Sequence, residues 1–254
     1  MDVLITREAG VLTIELNRPA KKNAITADMY GALADALIEA RESPAIRAVI
    51  LTGKSDIFTA GNDLQDFIDH PPERDDSPVF RFLQELSHAP KPLVASVCGA
   101  AVGVGTTLLL HCDLVFAGDN ARFSLPFAQL GLVPEAASSL LLPALVGYQR
   151  AAERLLLGEP FGADEALKMG LVSAVLPADA VLRHARQQAN KLVALPAAAV
   201  RATKRLMKHG RTEAIELRMT LEGEEFRERL KSPEAREAFA AFFERRRPDF
   251  SRFD

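Results

Sequence analysis

The chain opens on alternation. Val3-Leu4-Ile5 and Val11-Leu12-Thr13-Ile14-Glu15-Leu16 lie on either side of Glu8-Ala9-Gly10, which predicts a hairpin. The polar loop Asn17 to Asn23 follows. Thr26 then stands as an N-cap before Ala27 to Arg41, where Met29, Leu33 and Leu37 recur at helical spacing. Ala48 to Thr52 predicts a buried strand, 53–56 a turn, and Ile57-Phe58-Thr59 a further short strand. A short helix is expected near Gln65 to Ile68. Residues 70–78 are rich in proline and charge and predict a mobile surface loop. Val79 to Ser87 returns to helical spacing.

The most informative stretch is 91–146. Leu93 to Val97 predicts a buried strand bounded by Pro92. Gly99, Gly103 and Gly105 form a small-residue turn of the kind that lets backbone approach a ligand. Thr106 to His111 predicts one buried helix, Asp113 to Ala117 a second strand, and Ala136 to Val146 a helix. Strand, glycine turn and helix start together are a recurring way to aim backbone N–H groups at an anion.

Beyond Gly147 the pattern is mostly helical: Tyr148 to Leu157, Ala163 to Met169, Asp179 to Leu195, Pro196 to Lys208, Thr212 to Leu230 and Pro233 to Arg246. Leu171 to Val175 predicts one last strand. Ser232-Pro233-Glu234 marks a helix start, with a cap, a proline at the first position and an acid on the dipole.

Composition narrows the classes. The 254 residues are 48% hydrophobic and 26% charged, an ordinary globular mix. A net charge of −3 argues against nucleic acid as the main partner. The two cysteines, Cys98 and Cys112, sit in apolar surroundings and outside any metal-type spacing, which predicts buried thiols in a reducing compartment. The first residues do not form a secretory signal, no apolar run reaches the ~18 residues of a membrane span, and the last residues match no targeting address. The expectation is a soluble cytoplasmic protein.

Several chemistries lack their residues. Gly103-Val104-Gly105 is only half of a dinucleotide fingerprint, and no Lys-Ser/Thr pair follows for a phosphate loop. No Gly-x-Ser-x-Gly elbow is present. His70, His88, His111, His184 and His209 are scattered, so no metal site is expected; His111 near Asp113 reads as a helix-end contact. Glu135 remains, among Leu132, Val133, Ala136, Ala137 and Leu140. Two readings stand: an acid in the first turn of a helix, held by its dipole, or a general base made more basic by an apolar pocket.

A set of ordered motifs resembles the crotonase superfamily, the enoyl-CoA hydratase/isomerase family, over nearly the whole chain. They are Leu16-Asn17-Arg18-Pro19 with Asn23-Ala24, Phe58 to Leu64, Lys91-Pro92, Gly99 to Gly105, Cys112-Asp113 and Phe123 to Pro126. The resemblance implies an α/β fold, a spiral of β-β-α units over 1–195 that carries the acyl-CoA site. A helical region over 196–254 would assemble a homotrimer or a dimer of trimers. It implies an acyl-CoA thioester substrate, no separate cofactor because coenzyme A belongs to the substrate, and no nucleic-acid or membrane partner.

It also implies an oxyanion hole from the N–H groups of Ala60 and Val104. Gly61, Asn62, Asp63 and Leu64 would line the coenzyme A side, with Lys22 a candidate phosphate contact and Phe127 in the acyl pocket. The two glutamates of the family's hydratases correspond to Thr107 and Phe127, neither of which is a base. Pro134 to Ser139 is instead similar to the segment that carries the single catalytic glutamate of the Δ3-Δ2-enoyl-CoA isomerases, and this carries the catalytic role to Glu135. The alternatives are a hydratase or another crotonase-type reaction, and a non-catalytic acyl-CoA-binding protein.

Overall fold

Strands β1 (Val3–Glu8) and β2 (Val11–Leu16) form the expected antiparallel hairpin, with Ala9 and Gly10 both at positive φ in the turn. Helix α1 (Ala27–Glu42) starts where expected: the Thr26 side chain accepts from the Met29 N–H at 3.3 Å. Next come β3 (Ala48–Gly53), α2 (Leu64–Asp69), α3 (Pro78–His88), β4 (Leu93–Val97), β5 (Ala100–Val102) and α4 (Val104–Thr107). They are followed by β6 (Leu114–Gly118), β7 (Arg122–Ser124), α5 (Ser138–Val146), α6 (Tyr148–Ala152), β8 (Phe161–Gly162), α7 (Ala163–Lys168) and β9 (Ala174–Leu176). Helices α8 (Val181–Ala194), α9 (Ala197–Lys208), α10 (Thr212–Leu230) and α11 (Pro233–Glu244) complete the chain. This computed structural model describes residues 1–54, 57–72, 74 and 76–253. Positions 55 and 56 of the expected turn, and 73 and 75 of the expected loop, lie outside the described residues.

The main sheet has the order β1-β2-β3-β4-β6-β9 and is parallel except for the β1–β2 pair. Both faces are covered, which explains why β3 and β4 read as unbroken apolar runs. Leu12, Ile14, Val49, Leu51, Leu93 and Ala95 belong to the large core that also holds Leu33, Leu37, Phe82 and Leu86 of α1 and α3. The alternate residues Val11, Ala48, Ile50 and Val94 meet Val181, Ala185 and Ala189 of α8 on the other face. That is the two-residue period of a strand.

A second sheet, β5-β7-β8, is small and sits by the glycine turn. Its edge reaches residue 59 through a single parallel bridge, Thr59 to Ala101. The strand expected at Ile57 to Thr59 is therefore one bridge, because its partner is a short edge that offers no longer ladder. The strand expected at Leu171 to Val175 lies later, at β9. Leu171 and Val172 are buried as core side chains, and pairing to β6 begins at Ala174. The single helix expected from Thr106 to His111 is α4 followed by a 3-10 turn, Leu108–His111.

The C-terminal helices are tied to the core by a buried ion pair. Lys204 of α9 donates to Asp113 Oδ2 at 2.6 Å and to the Lys91 carbonyl at 2.7 Å. Asp113 also accepts the Leu93 N–H at 2.8 Å, so its partners are the start of β4 and α9, not His111. Cys98 and Cys112 are not joined in a disulfide. Burial pushes the Cys112 thiol up to about 12, which makes it inert.

Candidate active site

The loop between β3 and α2 is built on buried Asn23. Its Oδ1 accepts the Arg18 N–H at 2.8 Å, and its Nδ2 donates to the Ile57 carbonyl at 2.8 Å. The Thr59 hydroxyl donates to the Asn23 carbonyl at 2.6 Å and accepts the Gly61 N–H at 3.0 Å. Thr59 is also laddered to β5: its N–H donates to the Ala100 carbonyl, and its own carbonyl accepts from Val102. These bonds press the loop against the glycine turn. A Cβ on Gly61, which has φ +88°, would meet the Val102 carbonyl oxygen at 2.8 Å. One on Gly105 would meet Thr59 Cγ2 at 2.5 Å. Glycine at both positions lets two stretches of backbone approach one site. Gly61→Ala is expected to cost about 2 kcal/mol of stability in a denaturant titration, from left-handed strain and the clash.

The site residues of this loop separate once the hydrogen bonds are traced. The Ala60 N–H donates to the Lys22 carbonyl at 2.9 Å. It is spent inside the fold, so Ala60 does not supply the free donor expected of it. The Asn62 N–H and the Val104 N–H have no protein partner among the described residues. For Val104 the reason is its place as the first residue of α4, where a helix leaves its N–H groups unpaired. The Asn62 side chain is held by the Tyr30 hydroxyl, which donates to its Oδ1. Asp63 caps α2 by accepting from Gln65 and Asp66, and it takes a 2.6 Å ion pair from Arg18. Burial opposes its ionisation, but Arg18 and the two N–H groups outweigh that and hold its carboxyl below the ordinary value. Arg18 is thereby committed to Asp63. Leu64 begins α2 and packs against the large core.

Glu135 lies ahead of α5, not within its first turn. Ala136 (φ 61°) and Ala137 (φ 55°) are both left-handed, and the helix starts only at Ser138. The dipole-stabilised reading of Glu135 therefore does not describe it. Each left-handed alanine costs about 1–2 kcal/mol, so the surroundings must impose the turn. His111 is one constraint: its Nε2 pairs with the Ala136 carbonyl at 2.8 Å. Burial lowers the His111 pKa to about 4, so the ring is neutral and Nε2 carries the donated proton.

The Glu135 side chain is 7% exposed. Its Oε1 accepts from the Thr107 hydroxyl, and its Oε2 is buried with no hydrogen-bond partner among the described residues. Burial pushes the carboxyl up to about 8; the Thr107 bond opposes this and the nearby Glu222 adds to it. The cavity it faces is lined by Asn62, Phe67, Pro72, Val79, Phe80, Leu83, Ala136, Met219, Glu222, Gly223 and Phe226. Its free space is about 20 Å³, room for one water. Phe80, Met219 and Gly223 also border a groove of about 460 Å³ between α3 and α10.

Of the residues expected here, Asn62 and Glu135 share the cavity, and Val104 begins the adjoining turn. Phe127 is buried and does not line it; its ring lies 4.0 Å from where a Cβ on Gly103 would stand. Leu125 and Leu132 are likewise core residues. Lys22 is exposed. Phe242 and Phe243 are exposed, pack edge to face on each other with ring centroids 5.5 Å apart, and do not line the cavity. Thr107, Tyr30, His111 and Glu222 take part without having been expected to. For Glu222 a signal existed: it shares the buried face of α10 with Ile215 and Phe226, an acid at an apolar position. Among the described residues there is no cluster able to hold a metal ion, and no helix is long and apolar enough to cross a membrane.

A family model described as enoyl-CoA hydratase/isomerase matches residues 6–252. The chain is 33% identical to the 2,3-dehydroadipyl-CoA hydratase of Escherichia coli K12, over 98% of each protein. It is 41% identical to the peroxisomal enoyl-CoA delta isomerase 3 of Mus musculus, over 69% of this chain and 57% of that one. The solved structure of an enoyl-CoA hydratase/isomerase from Pseudoalteromonas atlantica T6c superposes with a TM-score of 0.94 and 44% identity, covering 98% of this chain and 100% of that one.

Proposed function

Because the chain belongs to the enoyl-CoA hydratase/isomerase family of the crotonase superfamily, a family of enzymes, we propose that it is a Δ3-Δ2-enoyl-CoA isomerase working with one carboxylate. The observation that carries this reading is Glu135 Oε2, a buried carboxylate oxygen with no hydrogen-bond partner among the described residues, in an otherwise mostly apolar cavity. Hydration needs a second acid–base group to activate water. Thr107 and Phe127 carry none, and the oxygens of Glu222 are taken up by Ala137 and Ser139.

In this mechanism the thioester carbonyl of a 3-enoyl-CoA accepts from the Val104 and Asn62 N–H groups. Asn62 replaces Ala60 in the role because the Ala60 N–H is already bonded. Glu135 removes a proton from C2, and charge moves onto the thioester oxygen as a dienolate. Two fixed donors in place before the charge forms each lower the barrier by about 3–4 kcal/mol. Glu135 then returns the proton to C4, and the double bond rests between C2 and C3. The apolar walls keep out water that would exchange the proton or add to the double bond. Gly61, Asp63 and Leu64 form the wall on the coenzyme A side, with Lys22 a candidate phosphate contact. The acyl tail runs past Phe80 and Met219 toward the groove between α3 and α10. A homotrimer or dimer of trimers belongs to the same proposal, supported by exposed apolar side chains such as Tyr148 and Leu156.

Two expected results test the reading. Given 3-enoyl-CoA and 2-enoyl-CoA of several chain lengths, the protein converts the first to the second and forms no 3-hydroxyacyl-CoA. Hydration of 2-enoyl-CoA at a comparable rate would favour the hydratase reading, and binding without turnover the non-catalytic one. The base acts ionised, so kcat/KM rises with pH and levels off above about 8.

A further inference from the structure

We propose that Glu222, carried on α10, is the positioning residue that holds Glu135 in place, by capping α5 from another helix and fixing the left-handed turn at Ala136 and Ala137. This rests on Glu135 being the base.

Helix α5 has no cap of its own. Its N-cap residue is Ala137, which has no side-chain acceptor, and its first N–H groups lie in the interior. Glu222 meets them with both oxygens. Oε2 accepts the Ala137 N–H at 2.6 Å, and Oε1 accepts the Ser139 N–H at 2.9 Å and the Ser139 hydroxyl at 2.5 Å. Arg218, one turn earlier on α10, donates to the same hydroxyl at 3.2 Å, which turns its proton toward Glu222. Every partner of Glu222 is a donor, an arrangement that suits a carboxylate acting as acceptor alone. Its oxygens are occupied, so it does not compete with Glu135 for the substrate proton.

The bonds fall on Ala137 and Ser139, the first and third residues after the Glu135-Ala136 pair. Release of the Ala137 N–H would let Ala136 and Ala137 leave the left-handed region, where alanine is strained. The Glu135 carboxylate would swing with them. The charge of Glu222 acts on Glu135 as well, since both line one cavity. Tyr30 of α1, whose phenol burial keeps protonated, also faces Glu135, and His111, bonded to the neighbouring Ala136 carbonyl, is neutral. Arg218 faces Glu222 with the opposite charge. Burial also raises the Glu222 carboxyl, while its bonds to Ser139 and Ala137 and the charge of Arg218 favour its ionised form. Ionised, Glu222 adds to burial, the larger cause, in making Glu135 harder to ionise.

The test compares Glu222→Gln, Glu222→Asp and Ser139→Ala with the wild type. Each is checked for folding by circular dichroism, and Glu135 is followed by carbon-13 NMR of its carboxyl, assigned against Glu135→Gln. In Glu222→Gln the amide removes the charge and sets a donor against the Ala137 N–H. The expected kcat is about 10- to 100-fold lower with KM within about threefold, the mark of a misplaced group. The Glu135 midpoint and the acid limb of kcat/KM should both move to lower pH by about 0.5–1. Glu222→Asp keeps the charge and should keep the midpoint while losing rate; Ser139→Ala should lose a smaller part of the rate. A Glu135 midpoint unchanged in Glu222→Gln, or a normal kcat in that variant, overturns the proposal. The NMR titration needs no substrate. If it shifts while the wild type does not isomerise enoyl-CoA, the reaction reading fails and the positioning role stands.

Discussion

Glu135→Gln is expected to lower kcat for 3-enoyl-CoA isomerisation about 10³-fold and to leave KM within about threefold. A positioned acid–base group typically contributes about 10²–10⁴ in rate. Among the described residues this site has no substitute: Thr107 is not a base, Glu222 is bonded to Ala137 and Ser139, and Tyr30 is buried and donates to Asn62. Glutamine is nearly isosteric and its carbonyl oxygen can still accept from Thr107. The proposed oxyanion donors, the N–H groups of Asn62 and Val104, belong to backbone elsewhere and are untouched. A fall in kcat alone would mark a group used only in the transition state. A rise in KM with kcat intact would instead make Glu135 part of the binding wall.

The same substitution is expected to stabilise the protein at alkaline pH. The Glu135 carboxyl has its folded value near 8 against an ordinary 4.5 because burial disfavours the charge. The native state then holds this proton more tightly than the unfolded chain does. The contribution is whole below about pH 4.5 and is lost as pH rises through about 8. Over that window the wild type loses about 3–5 kcal/mol that a neutral glutamine keeps. The measurement is urea unfolding of both proteins at pH 5 and pH 8.5. Taking the difference between the two pH values removes any constant cost of burying the amide. A gap that does not widen with pH would mean that Glu135 ionises as freely as a surface acid. For the base proposed here, weakening the fold at the pH where it works is a familiar exchange between activity and stability.

Much of this was legible in the chain, and the failures share one cause. The hairpin at the start follows from alternation around Ala9-Gly10. The last helix follows from Ser232-Pro233-Glu234, and Ser232 does accept the Ala235 N–H. These signals are local, and so is the apolar setting of Glu135. What escaped depends on contacts between distant segments. Ala60 and Asn62 look equally able to offer an N–H until the Lys22 carbonyl takes the first. Thr107 reads as a missing acid, yet its hydroxyl holds the acid that is present, 28 residues on. Ala136 and Ala137 carry no mark of left-handed backbone, because alanine adopts it only when something imposes it. Glu222 lies 85 residues from the N–H it caps. Only the register of α10 hinted at it, by placing an acid on the face shared with Phe226.

The most direct test of single-carboxylate proton transfer follows the proton itself. A 3-enoyl-CoA carrying deuterium at C2 is given to the wild type in ordinary water, and the product is read by mass spectrometry and NMR. A buried base shielded from solvent should carry label across, giving 2-enoyl-CoA with deuterium at C4 in a substantial share of the molecules. Formation of 3-hydroxyacyl-CoA, or product from which all the transferred label has been lost to water, would contradict it.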